Sequence, residues 1–469
     1  MKKAVLLVVL VLCVSIGAGA TVELVFTADN LTDLPALYWE DMYNLLDWVG
    51  DDFDGNWDSL RVYDANGNEL PYQFLDIDGS GRLSALDTLI FTFDDWAKVV
   101  ISEDWSIKPP EYASVFVLDE SEDSLIVSLK DQPIVIEIDR YGMPTYIKHG
   151  EVEGRLFSEL GIARVAGWVG STWWADGAMG RHDEKVTPHF RVVDQYVTGN
   201  GPVALGVMTV LESPDFIGLQ QILDVIILHT GEILVQNEFV FKGYVDLMKL
   251  QVQATHPLTD MDRETLWHVI PMFRKMLWSD QLSITPWEYW KERGAAKIVD
   301  QDPYIVFPAN DSMKPLWWGA TYIFTSEESW RANYSDTLKL AAVELDPIMR
   351  PVVFSNLEQF MFGNTWVYES NEFRSGIFRW FPGELEASFI GLPNDLNETY
   401  RFIPGIKNPF ATTQGAVTSV MEEMPARYIP GDVVYVPKVY GLYSFESVEE
   451  LIRFAHLRSI EIQSSDFAQ

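Results

Sequence analysis

The segment DIDGSGRLSALD, residues 76–87, places oxygen-bearing side chains at alternate positions around a sharp turn. Counting Asp76 as position 1, Asp78 falls at 3, Ser80 at 5, Arg82 at 7, Ser84 at 9 and Asp87 at 12. Ca2+ takes roughly six to eight oxygens, and a twelve-residue loop with glycine at position 6 supplies them. Here Gly81 is that glycine, the Arg82 carbonyl is the backbone ligand and Leu83 is the apolar anchor. Asp87 stands where Glu is usual, which shortens the bidentate reach. The expected metal set is therefore Asp76, Asp78, Ser80, Arg82, Ser84 and Asp87, holding a structural Ca2+. The plainer alternative is an Asx-rich turn without an ion. The acidic run DDFDGNWD, with Asp52, Asp54, Asn56 and Asp58, is a weaker candidate of the same kind.

A second chemistry-bearing run is GWVGSTWWADGAMGRHDEK, residues 167–185. Its glycines and mixed polar groups point to a long loop rather than a strand. Trp173 and Trp174, preceded by Trp168, suit a stacking platform for sugar rings. His182 can act as a general base with Asp183 to orient it, and Arg181 can neutralise a uronate carboxylate. Abstraction of a proton beside a carboxylate, followed by protonation of the leaving oxygen, is the chemistry of β-elimination. The alternative is a connection whose aromatics plug one end of a sandwich.

The third region, 256–380, holds Trp366, Tyr368, Glu369, Glu372 and Arg374 within nine residues. In a strand, Tyr368, Glu372 and Arg374 share one face, because side chains alternate with a period of two. A tyrosine acid with an arginine clamp (Tyr368, Arg374) fits a lyase; a pair drawn from the glutamates in and just beyond the region, which include Glu288, Glu369, Glu372 and Glu384, would fit a hydrolase. No G-x-S-x-G, H-E-x-x-H, phosphate-binding glycine loop or dinucleotide fingerprint occurs, which disfavours serine hydrolases, zinc proteases and nucleotide enzymes.

The elements that must position these residues read as mostly strand. VELVFTA is the first, and TDLPALYWEDMYNLLDWVG then reads as a helix, with Leu37, Tyr38, Met42, Leu45, Leu46 and Val49 at helical spacing and Gly50 at its end. Asn66-Gly67 marks a hairpin. TLIFTFDD follows the acidic loop as a strand, so the loop joins strand to strand; a dockerin-type hand, which it resembles locally, carries two copies with helices behind them. Pro109-Pro110 breaks regular structure. From about residue 113 long strands follow one another with short turns, until FESVEELIRFAHLRS near the end reads as a helix with Ser447 and Glu450 in capping-box spacing. The expected class is mainly β: an acidic N-terminal β-module over 21–112 and a large antiparallel two-sheet sandwich over 113–469.

Charge and composition narrow the partners. The net charge is −35, and residues 21–105 alone hold 19 Asp/Glu against three Lys/Arg. Such a field does not draw nucleic acid or anionic membrane surfaces. Lys2 and Lys3, the apolar stretch Ala4–Ile16 and the small residues Ala18-Gly19-Ala20 form the pattern of a signal peptide over residues 1–20, so a secreted chain is expected. No later stretch is long and apolar enough to span a bilayer. Cys13, the single cysteine, lies in that leader, which excludes disulfides and thiolate zinc sites from the mature chain.

The runs DSLIVSLKDQPIVIEIDRYGMPTYIKHG, VTGNGPVALGVMTVLES and ILDVIILHTGEILVQNEFVF resemble the galactose-mutarotase-like supersandwich. The resemblance implies two packed antiparallel sheets and a carbohydrate partner, as in polysaccharide lyases, parts of glycoside hydrolases and sugar epimerases. VYDANGNELPYQFLDIDGSGRLSALDTLIF resembles the N-terminal β-modules of secreted bacterial hydrolases and lyases. The reading is a secreted carbohydrate-active protein, with a uronate-cleaving lyase ahead of a glycoside hydrolase. The open alternatives are a non-catalytic glycan-binding or cell-envelope protein and an epimerase. The partner expected is a polysaccharide or oligosaccharide.

Overall fold

The computed structural model describes residues 12–15, 20–50, 53–155, 157–163, 166–169, 172–175, 190–214, 216–247, 249–255, 266–271, 275–276, 296–300, 302–308, 323–326, 330–345, 352–355, 385–390, 417–423, 426–435 and 437–463. It is mainly β, as expected, and almost wholly antiparallel; the described residues include two α-helices.

The first hundred residues build two small sheets. Strands β1 (Leu12–Ser15), β2 (Ala20–Thr27), β4 (Asn56–Asp64), β5 (Glu69–Leu70) and β8 (Trp96–Ser102) form one. Strands β3 (Ala36–Asp41), β6 (Tyr72–Leu75) and β7 (Thr88–Phe93) form the other. Between them lies a core that includes Leu24, Phe26, Tyr38, Leu60, Phe91 and Val99. Tyr38 stacks on Phe91 at 4.5 Å between ring centres and tilts against Phe26 at the same distance. The Asn66-Gly67 turn joins β4 to β5; Gly67 sits at φ +82°, and the Asp64 carboxylate accepts hydrogen bonds from the backbone of Asn66 and Asn68.

The stretch expected to be one helix splits in two. Residues Ala36–Asp41 pair with β7 as β3, and helix α1 runs only over Met42–Val49. Consecutive buried residues explain the split. Tyr38 enters the N-terminal core, while its neighbour Trp39 enters a different core on the other side. Only a strand sends adjacent side chains to opposite faces. Asp41 then caps the helix by accepting from the Asn44 N–H at 2.7 Å, and Gly50 ends it at φ +93°.

After residue 115 a five-stranded sheet forms from β9 (Phe116–Glu120), β10 (Ser124–Leu129), β11 (Ile134–Asp139), β12 (Pro144–His149) and β13 (Val152–Arg155). Two further pieces, β14 (Phe157–Ala163) and the ribbon β15 (Ala166–Val169) with β16 (Thr172–Ala175), precede the largest sheet. That sheet has eleven strands, led by β17 (Arg191–Asn200), β18 (Ala204–Glu212), β19 (Leu219–Leu228) and β20 (Ile233–Phe241). A seven-stranded sheet contains β14 and the strand Lys249–Thr255.

Both faces of the eleven-stranded sheet are covered. Leu205, Val207, Leu223, Val225 and Val235 face the five-stranded sheet, whose Val127, Ile136 and Ile147 meet them. Ala204, Ile226, Leu228 and Leu234 face the other way, onto Leu451, Ile452 and Ala455 of helix α2 (Val448–Gln463) and onto Trp39, Leu75 and Ile90. Strands buried on both sides lose the in-out alternation, which is why VALGVMTVL and LDVIIL read as almost unbroken apolar runs. Ser447 caps α2 through the Glu450 N–H, while the Glu450 carboxylate accepts from the Glu446 N–H, a step further back than a standard capping box. Among the described residues no helix is long and apolar enough to cross a membrane.

Candidate functional site

The acidic loop begins where the two parts of the chain lock together. Gln73 of β6 is buried against the turn before β18. Its amide donates to the Ala204 carbonyl at 2.9 Å and accepts from the N–H groups of Val203 and Ala204. A side chain at Gly201 would collide with Gln73, its Cβ only 2.4 Å from the amide oxygen. The Gly-Asn-Gly turn is thus a consequence of this approach. Three residues on, the Asp76 N–H donates to the Thr198 carbonyl, and the Tyr196 hydroxyl donates to the Ile77 carbonyl at 2.6 Å.

From that anchor the chain makes the loop and returns into β7, so a strand follows position 12, as the sequence implies. Gly79 and Gly81 sit at φ +65° and +70°, conformations that side chains disfavour. Asp76 accepts from the N–H groups of Ser80 and Gly81 at 3.0 and 2.7 Å. Asp78 accepts from the Ser80 N–H, and hydrogen bonds from Ser80 hold its carboxyl below the usual range. The Ser80 hydroxyl donates to the Arg82 carbonyl at 2.9 Å, which brings positions 5 and 7 together. Asp87 is buried and accepts from the Ile77 and Ser84 N–H groups. The result is a gathering of Asp76, Asp78 and Asp87 with carboxylate oxygens within 4.8 Å of one another. Ligands at the usual Ca2+–O distance, about 2.4 Å, lie at most about 5 Å apart, so the spacing fits one ion. No described Lys or Arg forms an ion pair with these three carboxylates. The second acidic run makes no such gathering among the described residues. Its Asn56 instead donates to the carbonyls of Asp104 and Ile107 and accepts from the Asp58 N–H.

The aromatic-basic run differs from its expected form. Its first part is a two-stranded ribbon, with Trp168 opposite Trp173 and Gly167 opposite Trp174 in the register. The glycine content suggests a loop, but the β-branched and aromatic residues around Gly170-Ser171 leave two residues between two short strands, the commonest hairpin spacing. Arg181, His182, Trp366, Tyr368 and Arg374 lie outside the described residues.

A second place, with no motif to announce it, is a cleft of about 390 Å3 between the N-terminal sheets and the turn after β19. Trp96, Asp94 and Asp95 line it from one side, Asp64 and Asn66 from the hairpin, and His229 from the long sheet. His229 Nε2 lies 2.9 Å from the Thr92 hydroxyl. Burial pulls the His229 pKa below the ordinary histidine value, against the opposing charge of Glu232, so the ring is neutral at neutral pH. The FDDW tetrapeptide at 93–96, acidic and aromatic at once, is the local signal that could have marked this cleft.

No family model matches the sequence, and no curated protein does. Among solved structures the chain is similar to a galactose 1-epimerase from Lactobacillus acidophilus NCFM, at 10% identity over 71% of this chain and 100% of that one, with a TM-score of 0.36. It is similar to a GalM/aldose epimerase homologue from C. elegans at 9% identity over 71% of this chain and 100% of that one, with a TM-score of 0.34. A copper-containing benzylamine oxidase from Hansenula polymorpha matches over 96% of this chain and 79% of that one, at 9% identity and a TM-score of 0.29. Proteins of such different chemistry at these scores say nothing of this chain's activity.

Proposed function

We propose that the chain is a carbohydrate-active protein exported from the cytoplasm, and that it cleaves a uronate-containing glycan by β-elimination. The observation that carries the reading is the ribbon at 166–175. Its register sets Trp168 opposite Trp173, immediately ahead of the Arg181-His182-Asp183 run. An indole ring offers a flat apolar surface for the CH faces of sugar rings. In this reading Trp173, Trp174 and Trp366 hold the glycan. Arg181 and Arg374 neutralise the uronate carboxylate and so acidify the adjacent C–H. His182 removes that proton, and Tyr368 protonates the departing oxygen. The strand pairs β10–β11, β18–β19 and β19–β20, formed by the stretches that resemble the supersandwich, are consistent with it.

Incubation with a polyuronate is expected to yield an unsaturated product that absorbs in the ultraviolet. His182→Ala is expected to lower its rate by about a hundredfold or more, the usual contribution of a general base. New reducing ends without that absorbance would make the chain a hydrolase. Retardation in a glycan gel with neither product would make it a binding protein. Full lyase activity in the His182 variant would remove that residue from the reaction.

The acidic loop takes a separate role in the same reading: a Ca2+ held by Asp76, Asp78, Ser80, the Arg82 carbonyl, Ser84 and Asp87 that staples β6 to β7. The ion would neutralise three gathered carboxylates and fix the loop against Tyr196. Calorimetric titration with Ca2+ should give a binding isotherm with wild type and none with Asp76→Ala. Ca2+ at about a hundred times its dissociation constant should raise wild-type stability by about 2.7 kcal/mol and leave the variant unchanged. Two flat traces would leave the segment an Asx-rich turn.

A further inference from the structure

We infer that the cleft at Trp96 and His229 is a binding site for an amine-bearing saccharide. It draws on residues the β-elimination reading does not use, and it stands whether or not the chain cleaves uronates. The cleft has a volume of about 390 Å3, within the range of small-molecule sites. Its described lining includes three carboxylates, those of Asp64, Asp94 and Asp95, and no Lys or Arg. His229 adds no positive charge at neutral pH, because its ring is neutral. An anionic ligand is therefore repelled, and a cationic one is drawn in.

The state of the carboxylates narrows the ligand further. Asp64 is already engaged by the Asn66 and Asn68 N–H groups and the Asn68 amide. Asp94 and Asp95 are exposed, and their carboxylates have no hydrogen-bond or ion-pair partner among the described residues. These three groups do not converge within the 4.8 Å that unites Asp76, Asp78 and Asp87. A single metal ion cannot gather them, whereas a ligand several atoms across can reach them separately. Trp96 supplies an aromatic wall, which suits both the CH face of a sugar ring and a nearby ammonium group. His229 and Thr92, already paired, and Asn66 offer the neutral donors and acceptors that sugar hydroxyls need. An ammonium group on a sugar ring meets all of these features; a uronate meets none of the charge requirement.

The test uses the full chain and three probes: a glucosamine tetramer, an N-acetylglucosamine tetramer and a tetragalacturonate. Calorimetry at low salt is expected to show the glucosamine tetramer binding at least about tenfold more tightly than its acetylated counterpart, a charge-assisted preference. Added salt should erode that preference. The double substitution Asp94→Asn, Asp95→Asn is at exposed positions, and it should abolish the preference while the unfolding midpoint stays unchanged. Equal affinity for the amine and its acetamide would overturn the inference, as would no binding of the glucosamine tetramer or a preference that survives the double substitution. Tetragalacturonate binding through the 167–185 run, unaffected by the same substitutions, would leave the cleft assignment intact and separate it from the lyase reading.

Discussion

Replacing Glu232 by Ala is expected to destabilise the protein by about 3–5 kcal/mol, the usual cost of stripping one partner from a buried ion pair. Glu232 is fully buried at the end of the β19–β20 turn, and Arg458 of α2 lies against it, 2% exposed. The guanidinium grips the carboxylate with two nitrogens, Nε at 3.0 Å and Nη2 at 2.5 Å. The Tyr443 hydroxyl donates to the same carboxylate at 2.8 Å; burial first, and then the Glu232 charge, hold that phenol well above its usual pKa. Arg458 also pairs with Glu461 at 2.9 Å, and Glu461 accepts from the N–H groups of Leu31 and Thr32 and from the Thr32 hydroxyl. One chain of charges thus ties the long sheet to the last helix and the last helix to the N-terminal segment. Without Glu232, Arg458 keeps its charge, loses its main partner and cannot reach water. Urea unfolding should show the loss, and hydrogen exchange should show α2 and residues 31–34 opening together. The double replacement Glu232→Leu, Arg458→Met should cost less than either single change, because the one charge it strips of its ion-pair partner, Glu461, keeps its hydrogen bonds from Leu31 and Thr32. If the double variant were no more stable than Glu232→Ala, packing rather than charge would be holding the helix.

This network marks the boundary of what the sequence makes legible. Its members are separated by as much as 430 positions, and no local pattern links them. By contrast, β18, β19 and β20 are evident from their apolar runs, β4–β5 from Asn66-Gly67, and α2 from Ser447 and Glu450. Each of those signals acts over a few residues. The error at Ala36–Asp41 has the same origin. Leu37, Tyr38 and Met42 satisfy helical spacing locally, and only the separate burial of Tyr38 and Trp39 in two distant cores decides for a strand. The acidic loop is legible almost completely, because the gathering of Asp76, Asp78 and Asp87 is built within twelve consecutive residues. The Trp96–His229 cleft is not, since its lining comes from five separate segments, at residues 35, 64–71, 92–96, 202–203 and 229, and no one motif spans them.

Asp224→Asn is expected to stabilise the protein at pH 8 by up to about 4 kcal/mol and to change little at pH 4. Asp224 lies mid-strand in β19, with Met208 and Gln236 as its register partners on β18 and β20. It is 3% exposed, and one carboxylate oxygen has no hydrogen-bond partner among the described residues. Burial, and then the charge of Glu238, push its pKa up to about 7, and burial raises Glu238 as well. The folded protein therefore holds a proton that the unfolded chain has released by about pH 4. Stability must fall as pH climbs from the unfolded value through the folded one, because the native state binds the extra proton across that window. A shift of about three pKa units is worth about 4 kcal/mol, all of it lost by pH 8. Asparagine has the same shape and no charge to bury, so it removes the penalty where the penalty exists and nowhere else. Unfolding midpoints in urea at pH 4, 6 and 8 should diverge between variant and wild type as pH rises. Parallel curves would mean that Asp224 ionises as freely as a surface carboxylate. A carboxylic acid that titrates near neutral pH inside a buried strand pair couples the charge state of this strongly acidic chain to its fold.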